Sequence, residues 1–403
     1  MKILSIETSC DETAISIISA EGGVESPRFE VLGNALYSQA KTHAEYGGVF
    51  PALAKREHAR NILPLLKIVL DVAQKNGLEF HTTKPNAGKN IMLKNILERE
   101  GNLADQFVEF CETQFIPKID AIAVTNGPGL EPALWVGINF AKALNLAWDV
   151  PIVPVNHMEG HIISVLLSDS STPVIFPALA LLISGGHTEL VEIDEWNAYK
   201  VIGRTRDDAV GEAFDKVARL LGLPYPGGPH VSRLAAEYRA TYPDYKNTPA
   251  ERPFILPRPM IDSPDFDFSF SGIKTSVLYT IKKTTNEGAI SLTENQKQAM
   301  AAEFEDAVTD VLVKKAAKAI EQIGAETFII GGGVVANTYI RAAFENLISK
   351  RFPHISLRVP SIDLSTDNSI MIAAAGYLQF LKKSKGIEKE WTTDFKADGN
   401  LSL

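Results

Sequence analysis

His157 and His161 stand four residues apart in the run Val155-Asn156-His157-Met158-Glu159-Gly160-His161-Ile162-Ile163. On a helix that spacing puts both imidazoles on one face. Two imidazoles side by side supply half or more of a divalent-metal site. Plain helix surfaces carry the same spacing, so the pair alone leaves both readings open. A zinc-peptidase motif requires Glu directly after the first His or directly before the second. Met158 and Gly160 occupy those positions. Glu159 falls between them, so a metal-dependent peptidase lacks its general base. No Gly-x-Ser-x-Gly elbow supplies an acyl-enzyme nucleophile either.

Two glycine turns could hold a nucleotide. Ser184-Gly185-Gly186-His187-Thr188 separates two strand-like runs, where successive N–H groups can form an anion nest or merely a hairpin turn. Gly331-Gly332-Gly333-Val334-Val335-Ala336-Asn337 follows an apolar strand and precedes a helix, a place suited to phosphate or ribose. It is not a P-loop, because no Gly-Lys-Ser/Thr follows. Asp215, near the start of a helix, could grip ribose hydroxyls or a substrate amine, or could simply favour the helix dipole. Asp367, in Ser365-Thr366-Asp367-Asn368, could cap a helix or complete a His-His-Asp metal set.

The elements that must position these residues repeat. Apolar runs predict strands at 2–8, 14–19 and 30–38, a helix at 51–75, a strand at 121–125, a helix at 134–148 and a strand at 151–155 that delivers His157. The second half predicts strands at 178–184, 189–193 and 199–204, helices at 211–221 and 300–323, a strand at 327–330, a helix at 337–350, a strand at 355–359 and a last helix at 367–383. Two copies of one α/β unit predict a duplicated actin/Hsp70/sugar-kinase-like fold, two lobes around a central cleft. The expected N-terminal lobe is 1–172, the C-terminal lobe 173–370, and 371–403 a last helix and tail that could pack back on the first lobe. Residues 81–118 match neither copy and read as a helical insertion. Asp367, opening the last helix of the second repeat, would make the metal set shared between lobes.

The net charge of −9 excludes a global basic field for nucleic acid. Local basic clusters remain at Lys55-Arg56, Arg204 to Arg206 and Lys382-Lys383-Lys385. With only Cys10 and Cys111 there is no disulfide framework and no cysteine metal cluster, which suits a reducing compartment. The first residues lack signal character and no apolar run is long enough to span a bilayer, so cytoplasm is the expected location.

Seven motifs in register resemble one family. They are Ile6-Glu7-Thr8-Ser9-Cys10-Asp11-Glu12-Thr13-Ala14, His157-Met158-Glu159-Gly160-His161, Ser184-Gly185-Gly186-His187-Thr188, Gly211-Glu212-Ala213-Phe214-Asp215-Lys216, Tyr225-Pro226-Gly227-Gly228-Pro229, Phe268-Ser269-Phe270-Ser271-Gly272-Ile273-Lys274-Thr275 and Thr366-Asp367-Asn368. Together they resemble the TsaD family of tRNA N6-adenosine threonylcarbamoyltransferases, in its bacterial form. The resemblance implies threonylcarbamoyl-AMP as donor. It implies as acceptor the adenosine 3′ of the anticodon (adenosine 37) in tRNAs reading codons that start with A. It carries over His157, His161 and Asp367 as ligands of one divalent metal per subunit, Fe2+ or Zn2+, and Leu182, Ile183, Ser184, Gly185, Gly186, Asp215, Gly228 and Asn337 as substrate-binding positions. Asp11 and Glu12 become candidates for orienting substrate or moving a proton, against a plain acidic turn. TsaB-like and TsaE-like partner proteins are implied, and no membrane. Asn156 stands where the family often has another His, and the 81–118 segment is absent from its compact pattern. The rival readings are an ATP-binding scaffold of the same fold without transferase activity, a small-molecule carbamoyltransferase, and the disfavoured peptidase.

Overall fold

The computed structural model describes residues 1–168, 173–284, 292–385 and 393–403. Unit 1 comprises Met1–Pro173 together with Asp367–Leu403, and unit 2 comprises Val174–Thr366.

Unit 1 is built on a five-stranded sheet of order β3-β2-β1-β4-β5. Its strands are β1 (Lys2–Glu7), β2 (Glu12–Glu21), β3 (Arg28–Ser38), β4 (Ala121–Gly127) and β5 (Ile152–Asn156). The first three form an antiparallel meander, while β4 and β5 run parallel to β1. A short helix α1 (Ala40–Ala44) precedes α2 (Pro51–Lys75). Then come α3 (Asn90–Ile96), α4 (Leu103–Thr113), α5 (Glu131–Trp148), α6 (His157–Ile163) and α7 (Val165–Ser168). Strands β1, β2 and β4 are almost wholly buried because both faces of the sheet are covered there, while β3 is a largely exposed edge strand. Leu4, Ile6, Ile15, Ile17, Ile122 and Val124 join α2 and α5 in one core. The other face meets the last helix of the chain.

Unit 2 repeats the plan. Its strands are β6 (Ala178–Ile183), β7 (Thr188–Glu195), β8 (Ala198–Arg204), β9 (Thr327–Gly331) and β10 (Ser356–Arg358), in the order β10-β9-β6-β7-β8. Read from its meander side the order is that of unit 1, with β9 and β10 parallel to β6. The helices are α8 (Val210–Leu220), α9 (Gly227–Thr241), α10 (Ser271–Thr284), α11 (Glu294–Ile323), α12 (Thr338–Arg351) and α13 (Ile362–Ser365). This duplicated α/β topology is the actin/Hsp70/sugar-kinase plan. The sequence pattern did not announce α9 and α10. They open on Gly-Gly-Pro and Ser-Gly, residues that read as turns.

The last helix, α14 (Ser369–Lys385), lies across β1, β2, β4 and β5. It therefore completes unit 1, so the expected lobe boundary at 370 moves to 366/367, and Asp367 falls in the same unit as the histidine pair rather than across from it. The 81–118 segment is no surface ornament: Leu93, Leu97, Leu103, Phe107, Phe110 and Cys111 enter the core of unit 1. Phe107 meets Phe140 edge to face at 5.4 Å. Buried Glu100 accepts from Asn139 Nδ2 at 3.0 Å.

Candidate metal centre and nucleotide turns

Strand β5 ends at Asn156 and α6 begins at His157, so His157 opens this short helix and His161 follows one turn later, in its last turn. Asn156 caps that helix, its Oδ1 accepting from Met158 N at 2.8 Å and Glu159 N at 3.4 Å. Across unit 1, Asn368 Oδ1 accepts from Met371 N at 3.0 Å and serves as the cap of α14. That leaves Asp367 outside the helix with its carboxylate free to turn toward α6. His157 Nε2 lies 3.3 Å and His161 Nε2 3.2 Å from the same oxygen, Asp367 Oδ1. One ligand atom from each of the three residues lies within 4.8 Å of the others.

Glu7, buried at the end of β1, holds the other side of His157: its Oε2 is 2.9 Å from His157 Nδ1. It also accepts from Thr125 Oγ1 at 2.7 Å and Ser9 N at 2.5 Å. A carboxylate on the far nitrogen is the usual support of a metal-bound imidazole. Sequence reasoning passed over Glu7. Its signals were a carboxylate in a largely buried strand and its place in the first of the seven motifs.

The donor set fits a divalent cation on two further observations. His161 is fully buried, yet neither of its ring nitrogens completes a hydrogen bond of proper geometry. The charges are also short of a cation. Burial works to lower the pKa of His157, but the Asp367 and Glu7 carboxylates outweigh it and hold it well above the ordinary histidine value. Burial works to raise Glu7 and Asp367, and His157 carries both below the usual carboxylate range. His161, by burial, stays on the neutral side. The proton on His157 thus offsets only one of the two carboxylates, buried Glu7 and half-buried Asp367, and a divalent cation held there would take its place while releasing it.

Asp11 and Glu12 sit where β2 begins, in the same unit. Asp11 is buried, and its carbonyl accepts from Gln39 N at 2.9 Å. Glu12 accepts from Ser38 Oγ at 3.0 Å. Burial, then the charges of Asp11 and Asp367, push the Glu12 carboxyl up to about 10.

The remaining sequence-predicted positions gather in unit 2 at the carboxyl ends of β6 and β9, which pair at Leu182 and Gly331. Leu182 and Ile183 are fully buried strand residues, so only their main chain is available to a ligand. Gly185 and Gly186 are exposed, and among the described residues nothing lies within 4 Å of where their side chains would stand. The same holds for Gly228 at the start of α9. Asp215 on α8 accepts from Gly227 N at 2.7 Å and so fixes that entry. Gly332, at φ +93°, packs against β6 so closely that a methyl group would stand 2.5 Å from Ile183 O. Asn337 caps α12 through Oδ1 and gives its Nδ2 hydrogens to Ser232 Oγ at 2.8 Å and Glu305 Oε1 at 2.6 Å. Its side chain is therefore fully engaged within the protein.

The chain was compared with known proteins. The family model described as TsaD, tRNA N6-adenosine threonylcarbamoyltransferase, matches residues 30–80 and 92–374. A protein of Paraburkholderia xenovorans (strain LB400) with that name is 41% identical over 402 residues, covering 100% of this chain and 99% of its own. One of Polaromonas sp. (strain JS666 / ATCC BAA-500) is 39% identical over 402 residues, covering 100% and 98%. Among solved structures, component A of the (R)-2-hydroxyglutaryl-CoA dehydratase of Acidaminococcus fermentans aligns over 96% of this chain and 100% of its own, at a TM-score of 0.46 and 11% identity. A likeness at that level carries no functional information. The family match corrects the expected insertion: only 81–91 falls between its two segments, so 92–118 belongs to the family pattern. Matched over most of its length and aligned with relatives from end to end, the chain belongs to the TsaD family of tRNA N6-adenosine threonylcarbamoyltransferases.

Proposed function

We propose that the protein transfers the threonylcarbamoyl group of threonylcarbamoyl-AMP to N6 of adenosine 37 in tRNAs reading codons that start with A, releasing AMP. The observation that carries this reading is the His157/His161/Asp367 set, its histidines buried and its carboxylate half-buried, with Glu7 behind it, in a chain of this family. The donor is a mixed anhydride, so no protein nucleophile is needed. The N6 lone pair forms the new C–N bond, the C–O bond to the phosphate breaks, and AMP leaves with that electron pair. One N6 proton must go to a base. Asp11 and Glu12, adjacent where β2 begins, are the carboxyl groups we assign to that role.

A divalent cation, Fe2+ or Zn2+, held by His157, His161 and Asp367 would supply charge stabilisation to the donor's phosphate and carbonyl oxygens when bound. The chain's own part is positioning. Exposed Gly185 and Gly186 and half-buried Gly228 leave open space where side chains would stand, which would let a phosphate approach their main chain closely. Holding a weak amine against the carbonyl can lower the barrier by about 7–11 kcal/mol in favourable cases. The Glu159 carboxylate accepts from Gln379 Nε2 at 2.5 Å, which further disfavours it as a peptidase base.

RNA binding needs cations. The clusters visible in the sequence are partly engaged: Arg206 pairs with Asp265 and Asp267, and Lys55 lies 3.6 Å from Glu100. The side chains of Lys383 and Lys385 lie outside the described residues. Helix α10 has no acidic residue, and Lys274, Lys282 and Lys283 form no ion pair among the described residues. Tyr279, one turn before Lys282 and Lys283, is 66% exposed. An aromatic beside unpaired lysines suits a single-stranded loop, and we assign α10 to contact the tRNA. Replacing both Lys282 and Lys283 with Gln should raise the tRNA KM several-fold and flatten the salt dependence of binding by roughly 1.5 units of slope. An unchanged slope would remove α10 from the interface. TsaB-like and TsaE-like partners follow from the family resemblance. No described helix is long and apolar enough to cross a membrane, and we place the protein in the cytoplasm with its substrate.

The deciding experiment supplies unmodified tRNA and threonylcarbamoyl-AMP to the purified protein, with and without partners, and analyses the nucleosides by mass spectrometry. Threonylcarbamoyladenosine should form, and a folded Asp367→Ala variant should form little. A folded variant with full activity would refute the metal assignment. No product from the wild-type protein, with unchanged modification in depleted cells, would favour the scaffold reading.

A further inference from the structure

Residues 393–403 form no strand or helix, yet unit 1 provides them with a seat. The segment is anchored first by Phe395 and Ala397. Lys142 Nζ donates to Phe395 O at 3.1 Å and lies over its ring, and Ala397 is buried in the core. Beyond them the chain crosses the Gly127-Pro128-Gly129 turn. Asp398 N donates to Asn126 O at 2.9 Å, and Gly129 N donates to Gly399 O at 3.2 Å. The approach is backbone to backbone: a methyl group on Gly127 would collide with Asp398 O and with the Leu401 side chain. Farther on, Ser402 O accepts from Asn156 Nδ2 at 3.2 Å.

Both attachments lead to His157. Asn156 divides its amide, with the oxygen capping the helix that carries His157 and His161 and the nitrogen held by Ser402. The Gly127–Gly129 turn backs onto Ser9: Leu130 N donates to Ser9 O at 2.7 Å, and a methyl on Gly129 would stand 2.6 Å from that oxygen. Ser9 Oγ in turn lies 3.3 Å from His157 Nδ1, the nitrogen that Glu7 holds. One segment thus braces the imidazole from its helix and from its far nitrogen. The residue where the family often carries another His is here the attachment point.

We propose that residues 398–402 are a positioning strap for the His157/His161/Asp367 set, acting through Asn156 and Ser9. The proposal rests on the metal reading of that set for its second readout and on the proposed activity for the transfer assay, while the first readout needs neither. Two variants test it: a chain ended after Ala397, and Asn156→Asp, which keeps the capping oxygen but replaces the donor to Ser402 with an acceptor. The first readout is hydrogen exchange of the metal-free protein. The shortened chain should exchange the Met158 and Glu159 amides faster, because Asn156 loses its tether. The second is affinity for Co2+ or Zn2+ by chelator competition. Both variants should bind on the order of 10–100-fold more weakly. Combined, they should lose less than the sum of their separate losses, since they cut the same link. In the transfer assay kcat should fall while the tRNA KM holds. Wild-type metal affinity in the folded shortened chain would overturn the strap. If that chain does not fold, wild-type affinity in Asn156→Asp would do so. Slow exchange with no metal bound by the wild-type protein would refute the metal reading instead and leave the strap intact.

Discussion

Glu7 shows how much of a site can rest on a residue that binds no substrate. It receives His157, Thr125 and Ser9 on one buried carboxylate. Replacing it with Gln keeps the volume and one acceptor but removes the charge that fixes the imidazole. Metal affinity should fall on the order of 10–100-fold, read by chelator competition, with the fold retained by circular dichroism. Unchanged affinity would reduce Glu7 to a core polar residue. The histidine pair was legible because four-residue spacing has a direct meaning on a helix. Glu7 was not, because its meaning depends on His157, 150 residues away in sequence. Asn337 gives the opposite lesson. The family resemblance offers it as a substrate contact, while its amide is fully occupied with α12, Ser232 and Glu305. A ligand would have to use its main chain or displace one of those bonds.

Among the elements, the start of β2 is held to α2 by one buried histidine. His58 Nε2 donates to Cys10 O at 2.9 Å, so Nδ1 accepts the Thr13 hydroxyl at 2.7 Å and the ring is neutral. Burial lowers its pKa to about 4, from the ordinary histidine value of about 6.5. The unfolded chain therefore takes up a proton near pH 6.5 that the folded chain refuses until about 4. Stability from this group is complete above pH 6.5 and is lost as the pH falls toward 4, by up to about 3 kcal/mol. His58→Gln can make both hydrogen bonds without titrating. Urea unfolding at pH 7 and pH 4.5 should show a smaller difference for the variant than for the wild type. Equal differences would show that His58 contributes nothing to acid sensitivity. Helix α2 and strand β6 were legible because apolar spacing mirrors burial. Helices α9 and α10 were not, because Asp215 and Asp207 fix their first turns from outside: Asp207 Oδ1 accepts from Phe270 N at 2.8 Å and Ser271 N at 3.2 Å. Such tertiary caps leave no local pattern.

For the molecule as a whole, the duplication was legible as a repeated order of elements, and the return of the last helix to the first lobe was an open expectation; what the sequence did not show is which sheet face α14 covers and that Asp367 goes with it. The strip Ile370-Met371-Ile372-Ala373-Ala374-Ala375 is apolar on every side and carries no address. Only the exposed face of β1, β2, β4 and β5 supplies one. A chain of residues 1–173 alone should therefore be unstable and aggregate, its sheet bare on one side. Residues 1–173 joined through a flexible linker to 367–403 should fold cooperatively and bind Co2+, yet transfer nothing. A cooperative, soluble 1–173 fragment would show that α14 is dispensable.

The discontinuity of unit 1 also sets a clock. On the ribosome, α6 emerges with both histidines long before Asp367 does. Residues 174–366 take roughly 10–40 s to add at usual elongation rates. During that interval one face of the nascent sheet waits uncovered and the metal set lacks its carboxylate. On the proposed metal reading, a newly made chain would complete its ligand set only after unit 2 has been synthesised, and chaperone occupancy should peak in that window.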